Sequence, residues 1–432
     1  MDIKTYFNPP LKIWEFFIKR KVKNISKLTN IVLPIIDHVK KYGDLALKTY
    51  TRKYDYVNLK EIKITEEEIT QSNQQISDTL KEGIHLAYNN IKYFHENQIQ
   101  KESKIEISSG IFCWRKTVPI EKVGFYIPGG TAPLLSTVLM LGVPSKLSGC
   151  KDIIICTPPN KSGKIHPSIL YIANKYIGIH RIYKVGGSQA IAAMAYGTET
   201  IPSVYKIFGP GNSYVTLAKQ IVANKGIVSI DVPAGPSEIV ILADKTANPE
   251  YVVSDLISQS EHDPESYILL ISIHESFINQ VKKELKRQLT NITNRFSIIK
   301  KSLEKSRIIF FSTLERSIEF INQVAPEHLI INCHNSSYWG NKIKNAGSVF
   351  LGNYSPVSAG DYATGTNHIL PTYGYAKSYS GVSVDSFIKK ITFQRLSKKG
   401  LRSLSKCIEV LSSTEGLIEH KRSINIRLKN ES

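Results

Sequence analysis

The chain has 432 residues, of which 42% are hydrophobic and 22% are charged, so it is long enough for more than one domain and has the composition of a globular protein. No stretch approaches 18 consecutive apolar residues, and the first residues lack the basic and then apolar order of a signal peptide. This argues against a membrane-spanning helix and makes the cytoplasm the expected location. The formal net charge of +19 would attract a polyanion, but no nucleic-acid motif accompanies the scattered lysines. The chain is rich in Ile, Lys, Asn and Tyr, which have A/T-rich codons, so we attribute the charge to genome-wide compositional drift and keep an RNA or anionic partner as the alternative.

The five cysteines are an odd number, and none of them belongs to a Cys-x-x-Cys pair. This pattern argues against a disulfide framework and against a zinc site made of thiolates, so we expect reduced thiols. The cysteines are Cys113, Cys150, Cys156, Cys333 and Cys407.

The first 120 or so residues have polar faces rich in Lys, Glu and Gln and are predicted to be mostly helical. Residues from about 122 to 231 then alternate short apolar runs with helical stretches, which predicts parallel βαβ units around a covered sheet. The predicted strands are 123–127, 152–156, 181–184, 204–208 and 227–230, and the predicted helices lie near 132–142, 166–176, 188–196 and 213–223.

Glycine-rich turns follow or precede several of these strands. In an open parallel sheet, ligands bind beyond the carboxyl ends of the strands, where glycine lets backbone amides approach a phosphate, so the turns indicate a nucleotide or dinucleotide. The usual Gly-x-Gly-x-x-Gly and Walker A sequences are missing, and tight βα connections remain the alternative. The turns are Ile127-Pro-Gly-Gly130, Val185-Gly-Gly-Ser-Gln189, Phe208-Gly-Pro-Gly-Asn212 and Ala234-Gly-Pro-Ser-Glu238.

A second α/β region follows, which predicts two α/β lobes. Its predicted strands are 238–242, 267–271, 307–311 and 329–332, with a helix that opens on a Ser312-x-x-Glu315 capping box. The last 50 or so residues are again predicted to be mostly helical.

Within this region Asn248 begins a helix that Pro264 should end, so Gln259 and His262 are predicted to share one face at its C-terminal end. An imidazole with oxygen donors suits zinc, and manganese or cobalt could substitute for it. From spacing alone, a hydrogen-bonded or solvated pair is the alternative.

Three further groups carry possible chemistry. Glu327 and His328 are adjacent at a predicted strand end and could divide acid/base work, unless they form an exposed loop pair. Asp361 lies in a small-residue stretch that we predict to be a loop turning its carboxylate inward. Glu415 and His420 lie near the C-terminus, where a disordered tail is the alternative.

Taken together, these motifs resemble the histidinol dehydrogenase family, in order from roughly residue 20 to 425. The resemblance is carried by Ile127-Pro-Gly-Gly-Thr-Ala-Pro133, Phe208-Gly-Pro-Gly-Asn212, Pro233-Ala-Gly-Pro-Ser-Glu238, Ser258-Gln-Ser-Glu-His-Asp-Pro264, Ala325-Pro-Glu-His-Leu329, Gly360-Asp361-Tyr362, Asn367-His368-Ile-Leu-Pro371, Glu415 and His420-Lys421.

The resemblance implies a zinc-dependent oxidation of L-histidinol to L-histidine through histidinaldehyde, the last step of histidine biosynthesis, with two NAD consumed per turnover. His328 would take the alcohol proton as hydride leaves to NAD, and Glu327 would activate water. Zinc would mainly hold the substrate's imidazole and amine. The implied zinc ligands are Gln259, His262, Asp361 and His420; the implied substrate contacts are these four with Ser237, His328, His368 and Glu415; and the implied NAD contacts are Tyr126, Gln189 and Asn212.

The resemblance also implies an α/β fold with two Rossmann-like lobes, incomplete parallel sheets and small helical terminal segments, in an intertwined homodimer. We predict an N-terminal helical arm at 1–20 and a first lobe, at 21–121 and 237–382, with most of the zinc site and the acid/base pair. A second lobe at 122–236 would bind NAD. A C-terminal helical segment at 383–432 would supply the last zinc ligand to the partner subunit.

One residue departs from the family's pattern, because Val357 follows Pro356 where a glutamate is usual. Loss of a carboxylate there could weaken substrate holding or support of the zinc, and we expect Val357→Glu to raise kcat/KM for histidinol.

Three other functions remain as alternatives. A zinc hydrolase could use the same metal set and water activated by Glu327 without NAD. A thiol-dependent aldehyde dehydrogenase would need Cys150 or Cys156, neither of which lies in an evident nucleophile context. A polyanion-binding role rests on net charge alone.

Overall fold

The chain forms an α/β fold with two parallel sheets and one small antiparallel sheet in a computed structural model. The structure describes residues 3–20, 25–100, 102–129, 133–232 and 235–429. Parts of two glycine-rich motifs, residues 130–132 and 233–234, lie outside the described residues.

The secondary structure alternates strands and helices through the central three hundred residues. The strands are β1 (Lys4–Phe7), β2 (Lys104–Ser108), β3 (Ile111–Pro119), β4 (Lys122–Tyr126), β5 (Asp152–Thr157), β6 (Ile182–Lys184), β7 (Lys206–Phe208), β8 (Ser229–Ile230), β9 (Glu238–Ala243), β10 (Tyr267–Ser272), β11 (Arg307–Phe310), β12 (His328–Asn332), β13 (Ser348–Leu351) and β14 (Ile388–Leu396). The helices are α1 (Trp14–Ile18), α2 (Ile25–Tyr54, kinked at Gly43), α3 (Glu66–Ser72), α4 (Asp78–Glu96), α5 (Leu135–Ser148), α6 (Pro167–Tyr171, continued by a π-helical turn at Ile172–Ile177), α7 (Gly187–Tyr196), α8 (Ser213–Asn224), α9 (Pro249–Ser260), α10 (Glu275–Leu289), α11 (Phe296–Lys305), α12 (Leu314–Val324), α13 (Ser336–Gly340), α14 (Val357–Tyr362), α15 (Lys398–Thr414) and α16 (Ile418–Lys429).

The five-stranded sheet is parallel throughout, in the order β6-β5-β4-β7-β8. Successive residues of a strand point to opposite faces, and here both faces are buried. Phe125 packs into the core under α4 and α5, and its neighbour Tyr126 packs into the core under α2 and α7. Burial on both faces explains why these strands read as continuous apolar runs, and the parallel sheet predicted for this region is confirmed.

The six-stranded sheet is also parallel, in the order β1-β11-β10-β9-β12-β13. Helices α9, α10 and α11 cover one face, and α1 and α12 cover the other. The edge strand β1 lies in residues that we predicted to be a helical arm. Its four residues are too few to show the alternation of polar and apolar side chains by which a strand is recognised in a sequence. Strand β13 at the opposite edge was also missed.

Residues 25–96 pack differently from the prediction, which grouped 21–121 with 237–382. Helices α2 and α4 bury their apolar faces against the five-stranded sheet instead. Amphipathic periodicity identifies a helix and its buried face but not the sheet that covers it, so the sequence offered no basis for choosing between the two.

An antiparallel sheet, in the order β14-β3-β2, joins two segments that we predicted to be mostly helical. Strands β3 and β14 pair along nine residues, from Ile111 opposite Leu396 to Pro119 opposite Ile388. All five residues of β2 are exposed, and so are most of those in β14. A sheet without a buried face lacks the clear polar and apolar alternation on which strand prediction depends.

The predicted capping box at Ser312 is wrong by one residue. Thr313 is the N-cap of α12 and accepts a hydrogen bond from the backbone N–H of Arg316 at 3.3 Å. Ser312 donates its hydroxyl to Asn8 at 2.8 Å, and so connects the loop after β11 to the chain after β1. Within the described ranges, no helix is long and apolar enough to cross a membrane.

Phe387 joins the antiparallel sheet to the core of the five-stranded sheet. Its ring is fully buried and stacks on Phe208 with ring centroids 4.2 Å apart. We expect Phe387→Ala to lower the free energy of unfolding by about 3–5 kcal/mol, because it leaves a cavity in a packed aromatic cluster. Denaturant unfolding measures this loss. Phe16→Ala, at a ring that is 60% exposed, should cost less than about 1 kcal/mol, and equal losses in both variants would contradict the expectation.

Candidate active site

A cavity of about 140 Å³ lies between the edges of the two parallel sheets. Gly209 and Asp231, which follow β7 and β8, bring the carboxyl edge of the five-stranded sheet to it. Ser237 and His328, at the starts of β9 and β12, bring the amino edge of the six-stranded sheet. The rule that ligands bind at carboxyl ends of parallel strands therefore holds for one sheet and not for the other.

Gln259 and His262 both line this cavity, although they do not share a helix face as predicted. Helix α9 ends at Ser260, three residues earlier than we placed its end, and His262 lies in the following turn. Gln259 in the last helical turn is buried, with 2% exposure, while His262 is exposed at the rim. The cavity thus receives an amide from its wall and an imidazole from its edge.

Asp361 also lines the cavity, but from a helix rather than from the predicted loop. It lies near the end of α14, and its carboxylate is 3.5 Å from Nε2 of His328. Burial alone would raise the pKa of the Asp361 carboxyl, but His328 beside it outweighs burial and lowers the pKa. Asp361 is therefore ionised in this environment.

Glu327 and His328 are both buried, which excludes the exposed loop pair that we kept as an alternative. Nδ1 of His328 is 3.0 Å from the backbone carbonyl of Glu238 and 3.4 Å from the carboxylate of Glu327. A carbonyl only accepts hydrogen bonds, so Nδ1 carries the hydrogen. Nε2 is buried and has no hydrogen-bond partner among the described residues, which leaves it directed at Asp361 and the cavity.

The charge state of this pair follows from its burial and its neighbours. Burial alone lowers the pKa of His328, but the carboxylates of Glu327 and Asp361 outweigh burial and raise the pKa to about 10. For Glu327, burial is the largest effect and raises the pKa of the carboxyl above its ordinary value. Its carboxylate accepts a hydrogen bond from the backbone N–H of Glu238 at 2.7 Å.

Ser237 and His368, two further predicted substrate contacts, line the same cavity. Nδ1 of His368 is 2.9 Å from the backbone carbonyl of Asp361, and its Nε2 is 3.3 Å from the hydroxyl of Thr137. Thr137 is on α5, which packs against the five-stranded sheet, and Asp361 is on α14. The imidazole of His368 therefore contacts both sides of the cavity.

Among the predicted zinc ligands and substrate contacts, Glu415 and His420 do not line the cavity. They lie at the junction of α15 and α16, both exposed, in ordered helices rather than in the disordered tail that was the alternative. Among the described residues of this single chain, no cluster of three or more His, Cys, Asp or Glu side chains is arranged to hold a metal.

The cavity nevertheless fits a divalent cation. Gln259, His262 and Asp361 supply an amide, an imidazole and a carboxylate, and the lining also contains Glu327 and Asp231. No lysine or arginine is among the described residues that line it. Borderline nitrogen and oxygen donors without a competing cation are a set that zinc accepts, and the unpartnered Nε2 of His328 adds an unused polar atom beside it.

The three predicted NAD contacts gather at the carboxyl edge of the five-stranded sheet. The hydroxyl of Tyr126 accepts a hydrogen bond from the backbone N–H of Gly187 at 3.2 Å, and Gln189 is buried in the first turn of α7. Asn212 is the N-cap of α8 and accepts from the backbone N–H of Tyr214 and of Val215. The side chains of Tyr126 and Asn212 therefore also support the glycine-rich turns.

The turn at Gly209 requires glycine. Its φ is +122°, and a Cβ there would lie 2.0 Å from the backbone carbonyl of Tyr126. The ammonium of Lys219 donates a hydrogen bond to the backbone carbonyl of Gly209 at 2.9 Å. The backbone N–H of Gly209 donates to the carboxylate of Asp231 at 2.7 Å. A turn with no side chain at the carboxyl edge of a parallel sheet allows a phosphate to approach the backbone, so the residues here fit a dinucleotide.

Two residues near the acid/base pair were not predicted from the sequence. Glu238 contacts Glu327 directly, and Arg20 contacts Glu238. Glu238 was visible as a charged residue at the start of an apolar strand, which is unusual for a position buried on both faces. Nothing in the sequence distinguishes Arg20 from the other basic residues.

The cysteines give no support to a thiol-dependent mechanism. All five are free, and neither Cys150 nor Cys156 lines the cavity. Burial raises the pKa of both thiols, which disfavours the thiolate that a nucleophile needs.

Val357, which departs from the family's pattern, is buried with 1% exposure in the apolar core under α9 and α10. It is not among the residues that line the cavity. Its side chain fills a core position, so the expectation that a glutamate here would improve turnover has no support from its surroundings.

Comparison with known proteins identifies the family. The sequence model described as histidinol dehydrogenase matches residues 18–428. The chain is 50% identical to the histidinol dehydrogenase of Bacteroides thetaiotaomicron, over 97% of each chain, and 46% identical to the chloroplastic histidinol dehydrogenase of Arabidopsis thaliana, over 94% of this chain and 87% of that one. It is also similar to the crystal structure of histidinol dehydrogenase from Elizabethkingia anophelis, with a TM-score of 0.95, 51% identity and coverage of 99% of this chain and 98% of that one.

The burial of Val357 generates a stability prediction. We expect Val357→Glu to lower the free energy of unfolding by about 3 kcal/mol at pH 7, because it buries a carboxylate in an apolar cluster. Burial raises the pKa of such a carboxyl, so the loss should shrink as the pH falls toward about 4, where the group is protonated in both states. Thermal unfolding across this pH range measures both effects. Val357→Ile should change stability by less than about 1.5 kcal/mol, and an unaltered melting temperature in Val357→Glu would contradict the expectation.

Proposed function

The chain belongs to the histidinol dehydrogenase family, the oxidoreductases of histidine biosynthesis, and we propose how the cavity between its two sheets carries out that activity. The proposal is an NAD-linked, zinc-dependent oxidation of L-histidinol to L-histidine through histidinaldehyde, which removes four electrons. The observation that carries it is the buried Glu327–His328 pair in one cavity with Gln259, His262 and Asp361.

His328 is the general base for the alcohol. The carbonyl of Glu238 fixes its Nδ1 as the protonated nitrogen, so Nε2 is the atom that accepts a proton from the substrate. Its pKa of about 10 depends partly on the charge of Asp361. If Asp361 held a metal ion, that charge would be offset and the pKa of His328 would be lower, which would favour the neutral imidazole.

Glu327 activates the water that converts the aldehyde to its hydrate. Its buried carboxyl has a raised pKa, so it is a stronger base than an exposed glutamate. The hydrogen bond from the N–H of Glu238 holds one carboxylate oxygen and leaves the other for a water molecule. The first hydride is lost from the alcohol as His328 takes its proton, and the hydrate then loses a second hydride and gives a proton to a base as it becomes the carboxylate of histidine. NAD, when bound, would accept both hydrides.

Gln259, His262 and Asp361 would hold zinc together with His420 of a second copy. Bound there, the metal supplies sites for the substrate's imidazole and amine, which is catalysis by positioning. Ser237, His368 and Glu415 complete the substrate contacts in this proposal. The glycine-rich turns beside Tyr126, Gln189 and Asn212 would bind NAD.

A homodimer explains why Glu415 and His420 lie outside the cavity of their own chain. Helices α15 and α16 expose apolar side chains that water disfavours, including Val410, Leu411 and Ile418, each more than half exposed. The antiparallel sheet beside them exposes Ile105 and Ile107. A second copy covering these surfaces would bury them and deliver His420 to the partner's cavity. The cytoplasm remains the predicted location.

The reaction is tested by NADH production from L-histidinol. We expect two NADH per histidinol consumed, loss of turnover on chelation, and recovery when zinc is added back. Absorbance of NADH and quantified histidine measure the stoichiometry, and zinc content measured by elemental analysis follows the metal. One NADH per histidinol would exclude the four-electron scheme. Ester or amide cleavage without NADH would indicate a zinc hydrolase instead.

The shared site is tested by mixing two inactive chains. In a heterodimer of His420→Ala with Glu327→Gln, one cavity has an intact Glu327 and receives an intact His420 from the other chain. Statistical mixing should therefore restore about a quarter of the wild-type activity, whereas each variant alone should have almost none. Heterodimers purified with two affinity tags after co-expression have one intact site of two, so they should show about half of the wild-type activity. Activity that stays absent in purified heterodimers would refute a site completed by the partner.

A further inference from the structure

We propose that Arg20 and Glu238 are positioning residues that hold the Glu327–His328 pair in its reactive geometry. The inference rests on the roles proposed above for that pair. It assigns a function to the N-terminal segment before α2 and to the glutamate that ends the Pro-Ser-Glu motif before β9.

Glu238 contacts the acid/base pair at three points. Its backbone N–H donates to the carboxylate of Glu327 at 2.7 Å, and its backbone carbonyl accepts from Nδ1 of His328 at 3.0 Å. Its side chain accepts from the backbone N–H of Glu327 at 3.4 Å. A shift of Glu238 would therefore move the carboxylate that activates water and the hydrogen bond that fixes the tautomer of the base.

The side chain of Glu238 is itself held in place by Arg20. The guanidinium donates Nε to Oε1 at 3.0 Å and Nη2 to Oε2 at 2.8 Å, the two parallel bonds of a bidentate pair. Both side chains are almost fully buried, with exposures of 6% and 1%. Oε1 also accepts from the backbone N–H of Tyr373 at 2.8 Å, so the carboxylate is restrained from three directions.

The position of Arg20 is set by the segment before it, α1, which packs on the six-stranded sheet. Its guanidinium lies over the ring of Tyr267 at 4.5 Å, and the hydroxyl of Tyr267 donates to the carbonyl of Phe17 at 2.8 Å. Phe17 and Trp14 are buried against Phe320 of α12. The chain before Arg20 is thus attached firmly enough to fix where the guanidinium sits.

Charge explains why both partners are required. Glu238 brings a second carboxylate next to Glu327, and without Arg20 the two negative charges would repel each other in a buried site. With Arg20 in place the charge is balanced, and Glu238 can orient the backbone around the pair. Among the described residues, the side chain of Arg20 contacts Ile18, Glu238 and Tyr267, and none of these lines the substrate cavity, so its effect on turnover would be indirect.

The test is chemical rescue of Arg20→Ala. We expect its kcat for histidinol oxidation to fall ten- to a hundredfold, since small misplacements of catalytic groups cost this much, with KM for histidinol changed less than about twofold. Arg20 and Glu238 line a surface pocket, so guanidinium ion at millimolar concentration, far below denaturing levels, can enter and should restore kcat severalfold. Arg181→Ala, which removes a guanidinium paired with Asp152 at the far edge of the five-stranded sheet, should keep its kcat and show no response to guanidinium.

If Arg20→Ala does not fold, Glu238→Gln provides a second test. The glutamine amide keeps the shape of the side chain and one acceptor oxygen but removes the negative charge that pairs with Arg20. Its kcat should fall at least tenfold with KM little changed. A folded Arg20→Ala or Glu238→Gln that keeps its kcat would overturn the proposal, and so would a loss in Arg20→Ala that guanidinium does not restore. Wild-type protein that fails to oxidise histidinol would instead overturn the proposed function, so the two failures are distinguishable.

Discussion

The parallel pairing of β9 with β12 is the interaction on which the rest of the site depends. It sets His328 opposite Ile239, one residue along from Glu238, and so brings the backbone of Glu238 to both members of the acid/base pair. A slip of the ladder by one residue would turn every side chain of β12 to the opposite face and remove His328 from the cavity. The two cores that bury alternate residues of these strands make such a slip costly.

The cavity owes its chemistry to the meeting of two unlike sheet edges. The carboxyl edge of the five-stranded sheet has glycine-rich turns, while the amino edge of the six-stranded sheet carries the acid/base pair Glu327 and His328. His368 connects these edges, since its ring contacts Thr137 on one side and the backbone of Asp361 on the other. The residues proposed for dinucleotide binding and those proposed for acid/base work are therefore distant in the chain and adjacent in space.

Sequence reasoning was accurate where the signal is local. Apolar runs identified the strands of the two parallel sheets except the edge strands β1 and β13, and the motif around Gln259 identified Gln259 and His262, which line the cavity. It failed where the outcome depends on distant partners. The sheet that covers α2 and α4, the pairing of β3 with β14 and the contact of Arg20 with Glu238 all join segments that are far apart in the chain. His262 shows an intermediate case, because its place at the rim was foreseen but its position beyond the end of α9 was not.

The pairing of β1 with β11 has a consequence for how the chain reaches its folded state. Residues 4–7 form hydrogen bonds with residues 307–310, so this edge strand has no partner until about seventy per cent of the chain has emerged from the ribosome. The five-stranded sheet draws its strands from residues 122–230 and can assemble earlier from contacts that are closer in sequence. Because Arg20 follows β1 closely, its ion pair with Glu238 should form only in the later stage of folding. A half-made chain would then have a folded five-stranded sheet, while the contacts of Arg20 and Glu238 around Glu327 and His328 would still be incomplete.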